Sequence, residues 1–293
     1  MRVTGPGQAP SWSGLGVVVT GGAAGIGLSL GRAAAARGAA VVLADIEKDV
    51  AKKAAASLRA DGADVHAAYC DVTDYQSVEA TLAEAAERLG GINVLCANAG
   101  VGSLGSIDEL TVSEFSWIMQ VNLFGVFHAV RAALPYLKAR VGTGQRAHVL
   151  VTGSENSLGL PEGAPASTAY QTSKTALLGL TDCVRRDLAP AGIGATLLCP
   201  SFVATEVWNA RRNRPDQFGG PEHGDPALGE QMHSIGQDPD EVAALALDGV
   251  DANVAIVATR SVSSACAEVR ARQVREAFDR LAALQPEPAA HQS

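Results

Sequence analysis

Short apolar runs alternate along the chain with segments whose apolar residues recur at helical spacing. Six of these runs are rich in β-branched residues, which is typical of strands that are buried on both faces of a sheet. They cover residues 17–20, 40–45, 65–71, 92–97, 148–152 and 195–199, and a seventh strand is predicted at 254–258.

The clearest helical pattern follows the third predicted strand, where apolar side chains at positions 78, 82, 85 and 89 share one helix face. Thr73 and Gln76 indicate a capping box at its start, and Gly90-Gly91 marks its end. Later helices are predicted at 239–247 and 266–284. Because strands and helices alternate, we expect right-handed crossovers and an α/β fold, a doubly wound, mostly parallel seven-stranded sheet of the Rossmann type.

No linker or internal repeat divides this alternation, so a single domain over residues 1–293 is the expected organisation. The least regular stretch, 209–237, is crowded with Arg, Pro and Gly, which indicates a long surface loop. Together with the residues from 206 onward, we expect it to act as a lid over the substrate. The tail 285–293 is expected to fray.

Composition and charge exclude several classes of protein. Hydrophobic residues make up 47% of the 293 residues and charged residues 18%, which is enough apolar material for a large core. The net charge is −8, with Lys and Arg scattered, which argues against nucleic-acid and membrane partners. Residues 1–10 lack the apolar centre of a secretory signal, so we expect a cytoplasmic protein. The five cysteines lack a Cys-x-x-Cys pair and are interpreted as reduced core thiols.

The first predicted strand leads into a glycine-rich turn, Thr20-Gly21-Gly-Ala-Ala-Gly25-Ile-Gly27, and then into a helical segment. Glycines let the backbone turn tightly and approach a pyrophosphate, while amides at the helix start face the phosphate charge. A glycine string also suits any tight turn between a strand and a helix. Its position after the first strand favours a dinucleotide-binding cradle.

Asp45 ends the second predicted strand, 18 residues beyond Gly27, where a carboxylate can accept hydrogen bonds from both ribose hydroxyls of an adenosine. The same carboxylate would repel a 2′-phosphate. Ile46 follows it, and the glycine turn contains no Arg or Lys that could neutralise such a phosphate. We therefore predict NAD rather than NADP as cofactor. The alternative is a solvent-facing Asp45 that caps the next helix.

The spacing of these glycines resembles that of the short-chain dehydrogenase/reductase family, and further motifs match the family in order. Asp71-Val72 looks like the pair that the family places around the adenine ring, and Asn98-Ala99-Gly100 looks like its structural Asn-Ala-Gly motif. The resemblance covers most of the first 205 residues. It implies that the cofactor is bound by Gly21, Ala24, Gly25, Ile26, Gly27, Asp45, Ile46, Asp71, Val72, Asn98, Ala99 and Gly100, and later in the chain by Tyr170, Lys174, Pro200, Val203 and Thr205.

Tyr170 and Lys174 are four residues apart at the start of a predicted helix, so the phenol and the ammonium lie on one side of it. A nearby cation and an oxidised nicotinamide both favour the phenolate, which would lower the phenol pKa from about 10 toward neutral pH. We expect Tyr170 to accept a proton from an alcohol or to donate one to a ketone. Taken alone, this spacing is more typical of a surface pair.

The resemblance also implies a serine just beyond the fifth strand, whose hydroxyl stabilises charge on the substrate oxygen. Ser157 lies 13 residues before Tyr170, the commonest separation in the family, whereas Ser154 directly follows the strand. We choose Ser154, attribute the extra residues to the loop 161–167, and interpret Ser157 as a cap. Asn122 looks like the fourth catalytic residue, which holds a water against Lys174; the alternative is a buried structural amide.

In the family, the alcohol carbon passes its hydride directly to the nicotinamide, so the protein supplies positioning and a dry pocket, and no metal is needed. Two features depart from the family pattern. Ser201 replaces the usual Gly after Pro200, which is expected to restrict the backbone there. The chain also lacks the common Val-Asp-Gly-Gly ending. A homo-dimer or homo-tetramer is expected, with its contacts left open.

Four bulky side chains, Phe202, Trp208, Phe218 and Met232, fall in or beside the irregular stretch. A pocket that they line would suit an apolar or aromatic secondary alcohol, and they would equally serve to anchor the loop. The arginines at 211–214 could meet an acidic substrate, but a solvated loop face is favoured. The sequence thus predicts an NAD-dependent oxidoreductase that interconverts a secondary alcohol and a ketone. The alternatives are a catalytically silent dinucleotide-binding regulator or scaffold, and a less favoured epimerase or dehydratase.

Overall fold

The seven strands pair side by side in one parallel sheet in the computed structural model, which describes residues 11–160 and 163–284. The strands are β1 (Gly16–Thr20), β2 (Ala40–Asp45), β3 (Val65–Tyr69), β4 (Val94–Ala97), β5 (Ala147–Thr152), β6 (Ile193–Cys199) and β7 (Ile256–Ala258). Their order in the sheet is β3-β2-β1-β4-β5-β6-β7, and all pairings are parallel. The predicted doubly wound sheet is confirmed.

Helices on both faces connect the strands. They are α1 (Gly25–Ala36), α2 (Lys48–Ala60), α3 (Tyr75–Leu89), α4 (Val112–Met119), α5 (Gly125–Gly142), α6 (Thr168–Leu188), α7 (Pro226–Ile235), α8 (Pro239–Asp251) and α9 (Ser264–Leu284). A π-helical turn, Gln120–Phe124, joins α4 to α5. The strand order reverses between β1 and β4, and ligands of doubly wound sheets bind at such a switch point, outside the carboxyl ends of the strands.

Successive residues of β1 point to opposite faces of the sheet, so each strand contributes to two cores. Val18 packs on the face that α3, α5 and α6 cover. Val17 and Val19 pack on the face that α1, α2 and α8 cover. All three side chains are fully buried. Neither face of the sheet meets water, which explains the continuous apolar runs of the sequence.

The helical run Val112–Gly142 is long and apolar enough, by composition alone, to span a membrane. Half of its most apolar window is buried inside the fold, and Ala133 and Leu137 are fully buried against the sheet. We therefore interpret it as a core helix. Polar residues interrupt it, which is why no continuous apolar run marks it in the sequence.

The start of α3 differs from the predicted capping box. Asp74 is the N-cap, and its carboxylate accepts the Gln76 amide at 2.9 Å. The Thr73 hydroxyl instead donates to the Asp71 carboxylate at 2.7 Å. Short polar side chains bind whichever nearby groups a turn offers, and this turn offers several. The predicted end of the helix is confirmed, because Gly90 terminates it with a φ of 66°.

The prediction of a long loop at 209–237 is wrong in part. The stretch includes α7 and short 3₁₀ turns at Glu206–Asn213 and Asp216–Phe218. Asp225 begins α7 by accepting the Ala227 amide at 2.9 Å, with a proline in the first turn. The surrounding Gly and Pro residues obscure these helix signals. The tail 285–293, which we expect to fray, lies outside the described residues.

The five cysteines form no disulfide. Four are buried, as expected of core thiols, whereas Cys183 on α6 is exposed. Burial raises the pKa of Cys96 and of Cys199 to about 12, so both remain protonated at neutral pH.

Candidate active site

The glycine-rich turn places the N-terminus of α1 at the carboxyl end of β1, beside the switch point of the sheet. Ala24, the N-cap of α1, supplies no side-chain acceptor, so the first amides of the helix have no partner within it. Gly21 and Gly25 have positive φ values of 64° and 52°. A Cβ on Gly27 would lie 2.0 Å from the Gly21 carbonyl oxygen, and one on Gly21 would lie 2.8 Å from Ala99. These close approaches need glycine, and they leave a cradle of amides suited to a phosphate.

A cavity of about 300 Å³ adjoins this turn. Gly25 and Ser29 line it from α1, and Thr205 lines it from the segment after β6. The methyl group of Thr205 would lie 3.0 Å from a Cβ on Gly25. The segment that the sequence assigns to the pyrophosphate and the segment that it assigns to the nicotinamide side therefore meet at one cavity. Ile26, in the first turn of α1, is partly buried.

Asp45 lies at the carboxyl end of β2, and each of its carboxylate oxygens accepts one backbone amide. Oδ2 accepts the Ala23 amide and Oδ1 accepts the Glu47 amide, both at 2.9 Å. Burial raises the pKa of Asp45, and these hydrogen bonds and the Arg212 guanidinium oppose the rise. Each oxygen retains a lone pair for a ribose hydroxyl. Asp45 does not cap α2, whose N-cap is Glu47, and Ile46 between them is 39% exposed.

Asp71 and Val72 follow β3, at the same carboxyl end of the sheet as Asp45, and both bind other protein groups. The Asp71 carboxylate accepts the Thr73 amide at 2.9 Å and its hydroxyl at 2.7 Å. The Val72 carbonyl is hydrogen-bonded to His128 Nδ1 at 2.9 Å. The pair is thus fixed in place by the turn before α3 and by α5.

Asn98 connects the ends of three strands. Its Nδ2 donates to the Thr20 and Gly21 carbonyls at 3.1 and 3.2 Å, and its Oδ1 accepts the Thr152 hydroxyl at 3.0 Å. The Thr152 carbonyl accepts Lys174 Nζ at 2.9 Å. The amide of Asn98 therefore holds the glycine turn against the end of β5, and Thr152 carries that connection to α6.

Tyr170 and Lys174 lie in the first two turns of α6, with Nζ 5.7 Å from the centroid of the phenol ring. Burial lowers the pKa of Lys174 to about 8. Burial also raises the pKa of Tyr170, to which the Glu155 charge adds, while a hydrogen bond with Ser154 opposes the rise. Burial thus sets the direction of this shift in the protein alone, and the expectation that the ammonium and an oxidised nicotinamide together lower the phenol pKa stays a prediction.

The two candidate serines belong to one turn after β5. Ser154 is the N-cap of the 3₁₀ turn Glu155–Ser157; its hydroxyl accepts the Asn156 amide at 3.2 Å and lies near enough to the Tyr170 phenol to oppose the rise of its pKa. The Ser157 hydroxyl accepts the Ser154 amide at 3.2 Å, and Ser157 is 1% exposed. The geometry thus places Ser154 near the phenol and at the N-cap, and gives Ser157 the reciprocal hydrogen bond of a capping box. Part of the loop that we held responsible for their spacing, 161–162, lies outside the described residues.

Asn122 is fully buried in the π-helical turn, and such turns are frequent at functional sites. Its Oδ1 accepts the Val101 amide at 2.8 Å, and its Nδ2 donates to the Val101 carbonyl and the Ser173 hydroxyl, both at 3.0 Å. A Cβ on Gly100 would lie 3.4 Å from both Asn122 Oδ1 and Lys174 Nζ. The side-chain amide is therefore engaged structurally, while the residue lies near the ammonium.

The segment after β6 runs along the carboxyl end of the sheet, beside the turn that contains Ser154 and Ser157. The Pro200 carbonyl accepts the Glu155 amide at 2.8 Å, and the Ser201 amide donates to the Thr259 hydroxyl at 3.3 Å. Ser201 does not adopt a positive φ, so the expected cost of replacing Gly there is wrong. Val203 is buried and holds the segment in the core.

The four bulky residues proposed to line a substrate pocket lie in different environments. Trp208 packs against α7, where a Cβ on Gly229 would lie 2.5 Å from its ring. Phe218 packs on the cluster formed by Trp117, Ile118 and Ala169. Met232 is buried and Phe202 is 43% exposed. Phe218 thus anchors the lid to the body, which is the alternative that the sequence left open, whereas Trp208 packs within the lid.

The arginines of the lid are engaged in ion pairs, so neither an acidic-substrate site nor a solvated face describes them. The pairs are Arg211–Glu114, Arg211–Glu222, Arg212–Glu47 and Arg214–Glu222. Glu114 lies in α4 and Glu47 precedes α2. The lid therefore contacts both sides of the switch point.

Sequence reasoning missed several residues that build this site. Thr152 and Ser173 hold Lys174 and Asn122, but each is an ordinary polar residue within a strand or helix. Glu47 was not predicted as a site residue, because Asp45 already supplied a ribose-binding carboxylate at the end of β2. Its negative charge two residues beyond Asp45 was the one signal available.

Comparison with known proteins gives one consistent result. Residues 16–216 match the family model described as short chain dehydrogenase. The 1-deoxy-11-beta-hydroxypentalenate dehydrogenase of Streptomyces exfoliatus is 38% identical over 192 residues, which are 65% of this chain and 68% of that protein.

Two solved structures show the same architecture. A short chain dehydrogenase/reductase from Burkholderia phymatum in complex with NAD superposes with a TM-score of 0.82 at 28% identity, covering 97% of this chain and 100% of that one. A short chain dehydrogenase from Burkholderia cenocepacia J2315 in complex with NADP has a TM-score of 0.67 at 27% identity, covering 84% and 96%. The two complexes hold different dinucleotides, so the likeness alone does not select one of them.

Proposed function

The chain belongs to the short-chain dehydrogenase family, and on this premise we propose that it is an NAD-dependent oxidoreductase that interconverts a secondary alcohol and a ketone. One observation carries the proposal. Ser154 and Lys174 both lie against Tyr170 at the carboxyl end of the sheet, next to the amide cradle of the glycine turn. A protein that only bound a dinucleotide would not need this group of proton-exchanging side chains.

The residues around the turn fit a nicotinamide dinucleotide. The unpartnered amides of α1 suit the pyrophosphate, and the adjoining cavity leaves room beside Gly25 and Thr205. Asp45 supports NAD over NADP, because its carboxylate accepts ribose hydroxyls and repels a 2′-phosphate. When bound, the cofactor exchanges a hydride with the carbon that bears the substrate oxygen.

The protein side chains then divide the remaining work. Tyr170 donates a proton to the ketone oxygen in reduction and accepts it in oxidation. The Ser154 hydroxyl binds the same oxygen and stabilises the charge that develops on it. Lys174 stabilises the phenolate, and Asn122 holds a water against Lys174 that passes the proton to solvent.

An apolar or aromatic substrate is favoured by the surroundings of α6. Leu104 is 55% exposed, beside Gly105, which pairs with Ser167 at the start of that helix. The lid 206–237 closes over the substrate and excludes water. Unchanged hydrogen exchange in 209–237 on adding NADH and a ketone that is turned over would contradict this closure. A cytoplasmic location stays a prediction.

We expect a homo-oligomer in which α9 forms a subunit contact. Its apolar stripe repeats at intervals of four and three residues, the spacing of a coiled-coil seam. The stripe consists of Ala267, Ala271, Val274, Phe278 and Leu281, all exposed. An antiparallel second copy would place Glu268 opposite Arg275 of its partner twice, by symmetry, and this complementarity favours a second copy as the occupant.

A panel of secondary alcohols and ketones, read by NADH absorbance, tests the proposed activity, with Tyr170→Phe as control. We expect turnover by the wild type and a loss of about 10²-fold or more in the variant, because general acid–base catalysis is removed. Equal turnover by the variant would contradict the role of Tyr170. Cofactor binding without turnover of any panel member would favour the silent regulator.

A further inference from the structure

Glu47 and Arg212 join the lid to the adenosine end of the proposed cofactor site. Arg212 Nη2 lies 2.5 Å from Glu47 Oε2 and Nε lies 3.2 Å from Oε1, so the guanidinium binds both carboxylate oxygens. Nη1 is fixed to the Asn209 carbonyl at 3.0 Å. Only about a quarter of each side chain is exposed, 26% for Arg212 and 24% for Glu47. The pair is thus partly buried and bidentate, unlike a fully exposed surface contact.

This ion pair adjoins the carboxylate that we assign to the ribose. The Glu47 amide donates to Asp45 Oδ1 at 2.9 Å. The Arg212 guanidinium is near enough to lower the pKa of both Asp45 and Glu47, although burial of Asp45 outweighs its effect there. A lid cation therefore lies at the end of β2, although the glycine turn itself contains no Arg or Lys. The side chain of Asn213 also faces Glu47.

A guanidinium with free donors binds phosphate strongly, because its planar fork matches two phosphate oxygens. Here Glu47 occupies Nε and Nη2, the two donors that form one edge of the Arg212 guanidinium. Two carboxylates and one guanidinium leave a local charge of −1, which disfavours a 2′-phosphate. Without the Glu47 charge, the local charge would be zero and the guanidinium would be available.

We propose that Glu47 determines cofactor specificity by holding Arg212 in an ion pair and so withholding it from the 2′-position of the adenosine ribose. The inference rests on the proposed function, since it concerns the same dinucleotide. It assigns to Arg212 a latent phosphate-binding capacity, and to the lid a role in selecting the cofactor as well as in covering the substrate.

The test is the dissociation constant of NAD⁺ and of NADP⁺ for the purified full chain, measured by isothermal titration calorimetry without substrate. For Glu47→Gln we expect the preference for NAD⁺ over NADP⁺ to fall by about tenfold, equivalent to about 1.4 kcal/mol. Glu47→Gln combined with Arg212→Gln should lose that gain, since the released cation is then absent. Asp49→Asn is the matched control: it removes a carboxylate in the first turn of α2 that pairs with Lys52 instead.

Each outcome decides a different question. An unchanged preference in Glu47→Gln, an equal shift in Asp49→Asn, or a shift that persists without Arg212 would overturn the inference. If Glu47→Gln does not fold, Glu47→Ser removes the charge and supplies a favourable N-cap, and the same expectations apply. A wild type that binds neither dinucleotide would contradict the proposed function itself. A wild type that binds NAD⁺, with no change in the variants, would contradict only the role of Glu47.

Discussion

The hydroxyl of Ser157 accepts the backbone amide of Ser154 at a distance of 3.2 Å. The two serines that are candidates for one catalytic role therefore depend on each other. Ser157 fixes the backbone of Ser154, and the Ser154 hydroxyl faces the phenol. A Cβ on Gly153 would lie 2.8 Å from the same Ser157 hydroxyl, so the turn is tightly packed. Loss of either hydroxyl should lower activity, but by different routes.

Substitution of the two serines separates these routes. Ser154→Ala should lower kcat by about 10²-fold, because it removes a hydrogen bond to the substrate oxygen, and should lower the free energy of unfolding by about 1 kcal/mol, because the hydroxyl also caps the turn. Ser157→Ala should lower the free energy of unfolding by about 1–3 kcal/mol, because it leaves a buried amide without its acceptor. Steady-state kinetics and urea unfolding of both variants provide the measurement. A larger kcat loss in a fully folded Ser157→Ala would reverse the assignment.

The raised pKa of Tyr170 predicts different pH dependences for the two directions of the reaction. The group is protonated at neutral pH, which suits donation to a ketone. Oxidation needs the deprotonated phenol, so kcat/KM for the alcohol should rise between pH 7 and 10, while that for the ketone should not. The rise should be moderated above the Lys174 pKa of about 8, as the ammonium loses its charge. Persistence of this rise in Tyr170→Phe would assign it to another group.

Local sequence patterns predicted those parts of the fold that depend on local chemistry. The strands are continuous apolar runs because both faces of the sheet are covered, and the glycine turn is visible because its close backbone approaches at Gly21 and Gly27 need glycine. The pairing of Arg212 with Glu47 joins residues 165 positions apart, and no short-range pattern contains it. The turn before α3 was misassigned for a related reason: Asp71, Thr73 and Asp74 offer competing hydrogen bonds, and packing decides between them.

His148 in β5 should make the protein less stable in acid. It is 3% exposed with Nε2 bonded to the Thr196 hydroxyl, and burial, with Arg146 and Arg185 nearby, lowers its pKa to about 3. The unfolded chain, with a histidine pKa near 6.5, then binds more protons than the folded one between pH 6.5 and 3, so stability falls as pH falls through this window.

The size of this effect can be measured by comparison with His148→Gln. Between pH 7 and 5 the wild type should lose about 2 kcal/mol of unfolding free energy more than the variant. Urea unfolding at the two pH values measures the difference. His223→Gln, at an exposed lid position, controls for removal of an imidazole elsewhere. Equal losses in wild type and His148→Gln would show that His148 does not cause the acid sensitivity.

The charges beside the apolar stripe of α9 allow its assembly to be tested by exchange. In an antiparallel pair centred between Ala271 and Val274, Glu268 of each copy faces Arg275 of the other. Arg275→Glu makes both contacts repulsive. We therefore expect the mass measured by light scattering to fall from tetramer to dimer, or from dimer to monomer. Glu268→Arg in the same chain restores opposite charges in both contacts and should restore the wild-type mass.

Gln273→Glu, on the outer face of the helix, adds a negative charge without contacting the stripe and should leave the mass unchanged. A wild-type monomer, or an unchanged mass in Arg275→Glu, would contradict pairing through α9, whereas a mass lost in Arg275→Glu and not recovered in the double variant would contradict the antiparallel register.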